Sequence, residues 1–276
     1  MRKSAGIAFA TKEDYVRVKI LNPEILAELY KNHGEFACTC YDTPKKYAER
    51  VGESCQESGH MSGSRCEYIK FEIEGDRGTL EQMMRHEIGV RYDEIDKYAY
   101  QDRIELIVDV NPCDIVKNMQ SFRYVDKNDF TYTIPNEIAE IPAALEVYAD
   151  VMGYINTKRK QLRDILLDNG VNKGRAVECA NFMLPRATNL ILTIGFTPEA
   201  LIQFMWKRLC TRAQPEIREI AIQMKMEVEQ INPQFAKELV PHCVYLLWCP
   251  EKETCEAMPK KDKIRELLQN NREVHE

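Results

Sequence analysis

The sequence predicts an α+β fold, and three observations carry that reading. Residues 14–20 (DYVRVKI) and 67–74 (EYIKFEIE) alternate apolar and polar side chains, the period of a strand with one buried face. Residues 141–168, 173–183, 197–211 and 215–231 repeat apolar side chains at helical spacing. Strand signals come early and helix signals late, without the alternation that builds a parallel sheet.

Taken in chain order, residues 14–20 give the first strand, and Pro23 then opens a helix to Tyr30. Residues 35–65 are rich in Cys, Gly and Ser, the composition of a loop that lets backbone approach something closely. The strand at 67–74 ends at Gly75-Asp76. Thr79 with Gln82 three positions on forms a capping box, which predicts a helix from there to about Gly89. Residues 91–115 read as an interruption: a charged piece, a short strand candidate (IELIVDV) and a turn at Asn111-Pro112. Among the later helices, 215–231 is the clearest. Ile217, Ile220, Ala221, Met224 and Val228 share one stripe, and Pro215 sits in the first turn.

The chain has 276 residues, 44% hydrophobic and 30% charged, enough for one large core or two modest ones. It holds no apolar run of about 18 residues, and its N-terminus (MRKSAGIAFATKEDY) is too polar for a secretory signal. The expectation is a soluble, cytoplasmic protein with no membrane partner. Its ten cysteines are therefore expected to be reduced, with Cys179 and Cys210 as core filler. A net charge of −6 argues against nucleic-acid binding, and Pro259-Lys260-Lys261 reads as a solvated tail. His242, Cys243, Cys249 and Cys255 suit zinc in type. They lack a clean CxxC, however, and Leu246, Leu247 and Trp248 between them suggest a packed tail, so no metal is expected.

No phosphate-binding GxxxxGK[ST], GxSxG elbow, HExxH or complete GxGxxG is present. Three clusters remain. Gln82 and Arg85 share a helix face and make either an anion cradle or a cap beside a surface arginine; His86 follows them. Asn118, Gln120, Ser121, Arg123 and Tyr124 form the second. In the third, Thr197-Pro198 starts a helix on which Arg208 and Arg212 fall four apart, with Leu201, Met205 and Leu209 tying it to the core. Two such arginines need an anion nearby. Glu216 could supply it within the protein, or a substrate could.

Together these clusters resemble the flavin-dependent thymidylate synthases, whose signature runs Arg-His-Arg, three residues, Asn-Glu, any residue, Ser, any residue, Arg-Tyr. Arg85-His86 opens that signature, Glu87 stands at its second arginine, and Asn118, Ser121, Arg123 and Tyr124 close it after the 91–115 insertion. An ungapped alternative keeps only Tyr98 of the closing residues. The gapped reading requires Val90 and Val116 to be close in space. Gly59-His60-Met61-Ser62, Leu184-Pro185 and Ala213-Gln214-Pro215-Glu216-Ile217-Arg218 fall in family order.

The resemblance implies an antiparallel sheet with a large helical part, one catalytic domain over residues 1–240, and a tail at 241–276. It implies reductive methylation of dUMP to dTMP with FAD, NADPH and methylenetetrahydrofolate, by a homotetramer. Arg208 would activate the pyrimidine, and Gln82, Arg85, Gln120, Ser121, Arg123 and Asn181 would join it in holding the nucleotide. His60, Ser62, Arg85, His86, Glu87, Asn118, Thr197, Glu199 and Gln203 would line the flavin. Met119 replaces a family acid, Asn181 stands where an arginine is usual, and Glu199 where a basic residue is frequent. Two other readings stay open: a flavoenzyme acting on another pyrimidine nucleotide, and a silent binding paralogue.

Overall fold

The computed structural model describes residues 16–60, 63, 65, 67–86, 115–122 and 130–266. Nearly all of the 91–115 insertion lies outside the described residues. So do Ser62, Glu87, Arg123, Tyr124 and Val90, and with Val90 the expected approach to Val116.

Strand β1 (Arg17–Ile20) leads through Asn22 into helix α1 (Pro23–Ala27). The Asn22 side chain does not cap that helix, because the residues around β2 occupy it: it donates to the Tyr68 carbonyl (2.7 Å) and accepts from the Lys70 amide (2.8 Å). Helix α2 (Leu29–Cys40), a 3₁₀ turn (Lys45–Tyr47) and helix α3 (Ala48–Glu57) follow. Most of the segment read as a loop at 35–65 is therefore helical. The glycines do signal close backbone approach, but of helix to helix. A Cβ on Gly34 would lie 1.6 Å from the Ala48 carbonyl oxygen, and one on Gly52 would lie 1.8 Å from that of Tyr30.

Strand β2 (Ile69–Asp76) alternates buried and exposed positions as its pattern predicts, and it runs through Gly75 instead of stopping there. Asp76 is the N-cap of α4 (Arg77–Met84), its carboxylate accepting from the Thr79 amide at 2.9 Å. The capping box expected at Thr79 is thus displaced by three residues, since a strand-end aspartate takes the orphan amide first.

Strands β3 (Ile115–Met119) and β4 (Asn189–Phe196) were not legible. β4 is buried at nearly every position, so its apolar run carries no alternation. Between them in sequence lie α5 (Asn136–Ala139), α6 (Pro142–Asp168) and α7 (Lys173–Asn181), the last capped by Asn172. After β4 come α8 (Pro198–Arg208), capped by Thr197 as expected, then α9 (Pro215–Ile231), α10 (Pro233–Ala236) and α11 (His242–Leu246). The four strands form one antiparallel sheet in the order β1-β2-β4-β3, which bears out the α+β reading.

The chain divides into two compact units, each discontinuous in sequence. The first takes Met1–Val18, Glu72–Arg85 and Lys117–Thr193. Its core gathers Phe130, Tyr132, Ile134, Met152 and Leu184, with Phe122, Leu145, Tyr148 and Ile155 packed around them. Inside it the Tyr148 hydroxyl donates to the Thr133 carbonyl (2.9 Å), and burial pushes that phenol up to about 12.

The second unit takes Lys19–Phe71, His86–Val116 and Ile194–Glu276. Phe71, Phe196, Phe204 and His86 form an aromatic ladder, with successive ring centroids 6.4, 5.1 and 5.1 Å apart. The α9 stripe of Ile217, Ile220, Ala221, Met224 and Val228 is fully buried, as its spacing predicts. Each large apolar side chain of that stripe contributes about 1.5–3 kcal/mol by leaving water.

Candidate functional site

In the first unit, Asp76 fixes where α4 begins and thereby where Gln82 and Arg85 fall. Gln82 is half-buried, and Arg85 is the exposed C-cap. The Lys117 ammonium on β3 donates to the Met84 carbonyl, tying that helix end to the strand. The chain leaving β3 is held at two further points. The Gln120 main-chain N–H donates to the Ile191 carbonyl (2.8 Å), and the Asn181 side-chain amide donates to the Phe122 carbonyl (2.7 Å). Arg77 bonds Glu81 and lies 5.0 Å over the Phe122 ring. Gln82, Arg85, Asn118, Gln120, Ser121 and Asn181 thus all belong to this unit, on α4, β3, its exit and α7. Asn118 is exposed, Gln120 and Ser121 are half-buried, and Asn181 is buried.

His60, His86, Thr197, Glu199, Gln203 and Arg208 belong to the second unit. Gly59, in the left-handed region at φ 72°, turns the chain out of α3 and leaves His60 exposed. A hydrogen bond links the Tyr41 hydroxyl to His60 Nδ1 (3.1 Å), and the His60 carbonyl accepts from His33 Nε2 (3.0 Å). Around His60 opens a cleft of about 640 Å³ lined by Tyr41, Tyr47, Arg50, Ser54 and Ser58. A second cleft, about 280 Å³, is lined by Gly59, Glu199, Gln203, Trp206 and Tyr245.

Glu199 receives two bonds from Arg65 on one carboxylate oxygen (2.8 and 2.9 Å) and one from Gln203 on the other (3.4 Å). The Thr197 hydroxyl is spent on its own helix, accepting from the Ala200 amide. His86 is buried with its ring edge-on to Phe204. Arg208, the last residue of α8, is half-buried. Burial pulls its guanidinium below the usual arginine range, and among the described residues its Nε is buried without a hydrogen-bond partner.

The neighbouring expectations change. α8 ends at Arg208, so Arg212 does not share its helix face; it pairs with Glu253 (3.1 Å), while Glu216 takes a bond from Gln214 (2.7 Å). The intramolecular partner foreseen in Glu216 is therefore not used. Cys179 and Cys210 are half-buried, whereas Cys38, Cys55 and Cys249 are buried among the described residues. Among the described residues no three His, Cys, Asp or Glu side chains stand where they could hold a metal. His242 instead stacks on Trp206 at 4.7 Å.

Residues 28–234 match the model of the family described as thymidylate synthase complementing protein. The chain belongs to this family. The match takes in every candidate site residue from His60 to Arg208 and leaves the cysteines of the tail outside. The chain is 29% identical over 214 residues to the flavin-dependent thymidylate synthase of Nitratidesulfovibrio vulgaris, across 76% of this chain and 77% of that one. It is 29% identical over 219 residues to the enzyme of the same name from Thermococcus onnurineus (74% and 77%) and 28% identical to that from Pyrococcus furiosus (74% and 77%).

Within this family member, three residues that sequence reasoning passed over stand beside the candidate groups. Lys117 was hidden in a strand that was not recognised. Arg65 sits in a segment whose composition said only loop. Arg159 did leave a signal, a cation on the inner stripe of α6 that Met152 and Ile155 otherwise keep apolar.

Proposed function

We propose that this chain is a flavin-dependent thymidylate synthase, a methyltransferase that converts dUMP to dTMP reductively. Family membership over residues 28–234 supports it, as do the names of relatives aligned with most of the chain. The site observation that carries it is Arg208: a permanent cation, half-buried, with a guanidinium nitrogen stripped of water and unpartnered among the described residues. That desolvation is offset only when an anion arrives. A pyrimidine ring nitrogen losing its proton develops such charge, and Arg208 stabilises it.

The nucleotide is held, on this reading, by Gln82, Arg85, Gln120, Ser121 and Arg123, with Asn181 behind them. The residues present fit a flavin. The smaller cleft is lined by the Trp206 and Tyr245 rings, which pack on each other, and by the amide of Gln203, and the buried Trp206 Nε1 has no partner among the described residues. When bound, reduced FAD supplies the electrons that make the transferred carbon a methyl group. Arg65 neutralises Glu199 at the rim, so that a flavin phosphate does not meet an uncompensated carboxylate. NADPH and methylenetetrahydrofolate are the co-substrates. The larger cleft, with Tyr41, Tyr47 and Arg50 beside His60, suits a flat ring with anionic groups, as the flavin and both co-substrates carry.

We place the protein in the cytoplasm as a homotetramer, with residues 1–240 as its catalytic domain; no helix among the described residues is long and apolar enough to cross a membrane. Anaerobic turnover of the purified protein tests the activity: dUMP-dependent NADPH oxidation with formation of dTMP is expected. Its absence, together with failure to rescue a thymidine-requiring bacterium, would sink the reading. Rescue must be lost in Arg208→Ala.

A further inference from the structure

Helix α6 turns one apolar stripe inward, and on that stripe stands Arg159, with none of its surface exposed. Burying a guanidinium forfeits its hydration, so its bonds are chosen by the cation. Arginine is all donor. Its Nη1 donates to Asn181 Oδ1 at 3.1 Å, and this settles which way the Asn181 amide faces. With Oδ1 toward Arg159, the Nδ2 group donates to the Phe122 carbonyl at 2.7 Å. Turned over, the same amide would set N–H against guanidinium and carbonyl against carbonyl, two repulsions in place of two bonds.

Phe122 is the outer anchor of a short irregular segment. Its ring packs with the Phe130–Leu184 cluster and under Arg77, and two residues earlier Gln120 is the inner anchor, its main-chain N–H donating to the Ile191 carbonyl. Ser121 lies between the two. Ser121 stands outside the regular strand, so its direction follows the two anchors that flank it.

We propose that Arg159 is a positioning residue for the nucleotide site. By orienting Asn181 it fixes the Phe122 carbonyl, and so presents Gln120 and Ser121 in the geometry that binds the pyrimidine nucleotide. This rests on the reading above that Gln120 and Ser121 contact the nucleotide. Asn181, 3% exposed and bonded at both ends of its amide, serves as the link and not as a ligand contact.

Asn181→Asp is the decisive variant, because it keeps the volume and keeps an acceptor for Arg159 but turns a second oxygen on the Phe122 carbonyl. In the flavin-loaded enzyme the expected result is a dUMP KM, and a dUMP Kd by calorimetry, raised about tenfold or more. kcat, flavin content and melting temperature should stay near those of the parent. Arg159→Met should weaken dUMP binding in the same way and Arg159→Lys should restore part of it. Should Arg159→Met fail to fold, Asn181→Asp still decides. Combining Asn181→Asp with Ser121→Ala should cost less than the sum of the two, since both act on one contact. If Ser121→Ala weakens dUMP binding and Asn181→Asp does not, the positioning role is overturned. It is also overturned if Asn181→Asp lowers flavin content and melting temperature in step with dUMP affinity. If Ser121→Ala itself leaves dUMP binding unchanged, the assignment of the nucleotide site fails first, and the positioning role falls with it.

Discussion

Two stretches, the exit of β3 in the first unit and the end of α8 in the second, hold their polar groups in opposite ways. At the exit of β3 the Lys117 ammonium, the Gln120 main-chain N–H and the Asn181 side-chain amide each donate to a backbone carbonyl, so these groups are committed before any ligand binds. In the second unit Arg208 Nε and Trp206 Nε1 are buried and, among the described residues, lack partners. A committed group contributes shape, and a desolvated, uncommitted one keeps a free energy that only a ligand can offset. Substitutions in the first unit should therefore appear mainly as lost nucleotide affinity, and those at Arg208 as lost turnover.

The sharpest way to break this contrast is Arg208→Ala. Removing a cation that acts where charge develops should lower kcat by about 10²-fold or more. Melting should be unchanged or slightly raised, because the replacement buries no charge. A variant that unfolds instead would make Arg208 a structural residue and end the comparison. Denaturant titration of Gly52→Ala addresses how the second unit's framework is held. Its new Cβ meets the Tyr30 carbonyl oxygen at 1.8 Å, an atom of backbone that cannot swing aside. A loss of about 3 kcal/mol is expected, through overpacking of α2 against α3. A loss under about 1 kcal/mol would show that the helix pair is not rigid.

Asp76→Ala probes the first unit's framework by removing the α4 cap. About 1 kcal/mol of stability should go with it. Because Gln82 and Arg85 ride on that helix, dUMP affinity should fall more than flavin affinity; equal losses would contradict the division of labour. The smallest effect is at His33, whose imidazole is held below its ordinary 6.5 by burial, with the His60 carbonyl bond opposing part of the shift. Above 6.5 His33 is neutral in both folded and unfolded chains and costs nothing. As pH drops below that value the unfolded chain takes up the proton first, so stability declines down to the folded pKa. Thermal melts between pH 7.5 and 5 should show a shallower decline in His33→Gln; identical slopes would remove His33 from the account.

Legibility followed the kind of signal each segment carried. α9 could be read because its buried stripe has a period of its own, and β2 because one of its faces is wet. β4 escaped because burial on nearly every position erases the alternation that marks a strand. α3 escaped because glycine and serine content speaks for flexibility. Only the partner helix shows that Gly52 is there to admit a carbonyl.

The site divided along the same line. Ordered short motifs placed Gln82, Arg85, Ser121, Gln203 and Arg208 on the candidate map, because residue type and spacing are properties of the chain itself. What each side chain bonds to depends on residues far away in sequence. Arg65 finds Glu199 across 134 positions, and Asn181 finds Phe122 across 59. The sequence by itself therefore determined the α+β composition, the family and the likeness of its motifs. Only the tertiary structure decided that Glu199 is neutralised, that Asn181 is turned inward by a buried arginine, and that Arg208 is left half-buried with a guanidinium nitrogen that no described residue satisfies. Pairing and desolvation arise between segments, and no spacing along one segment encodes them.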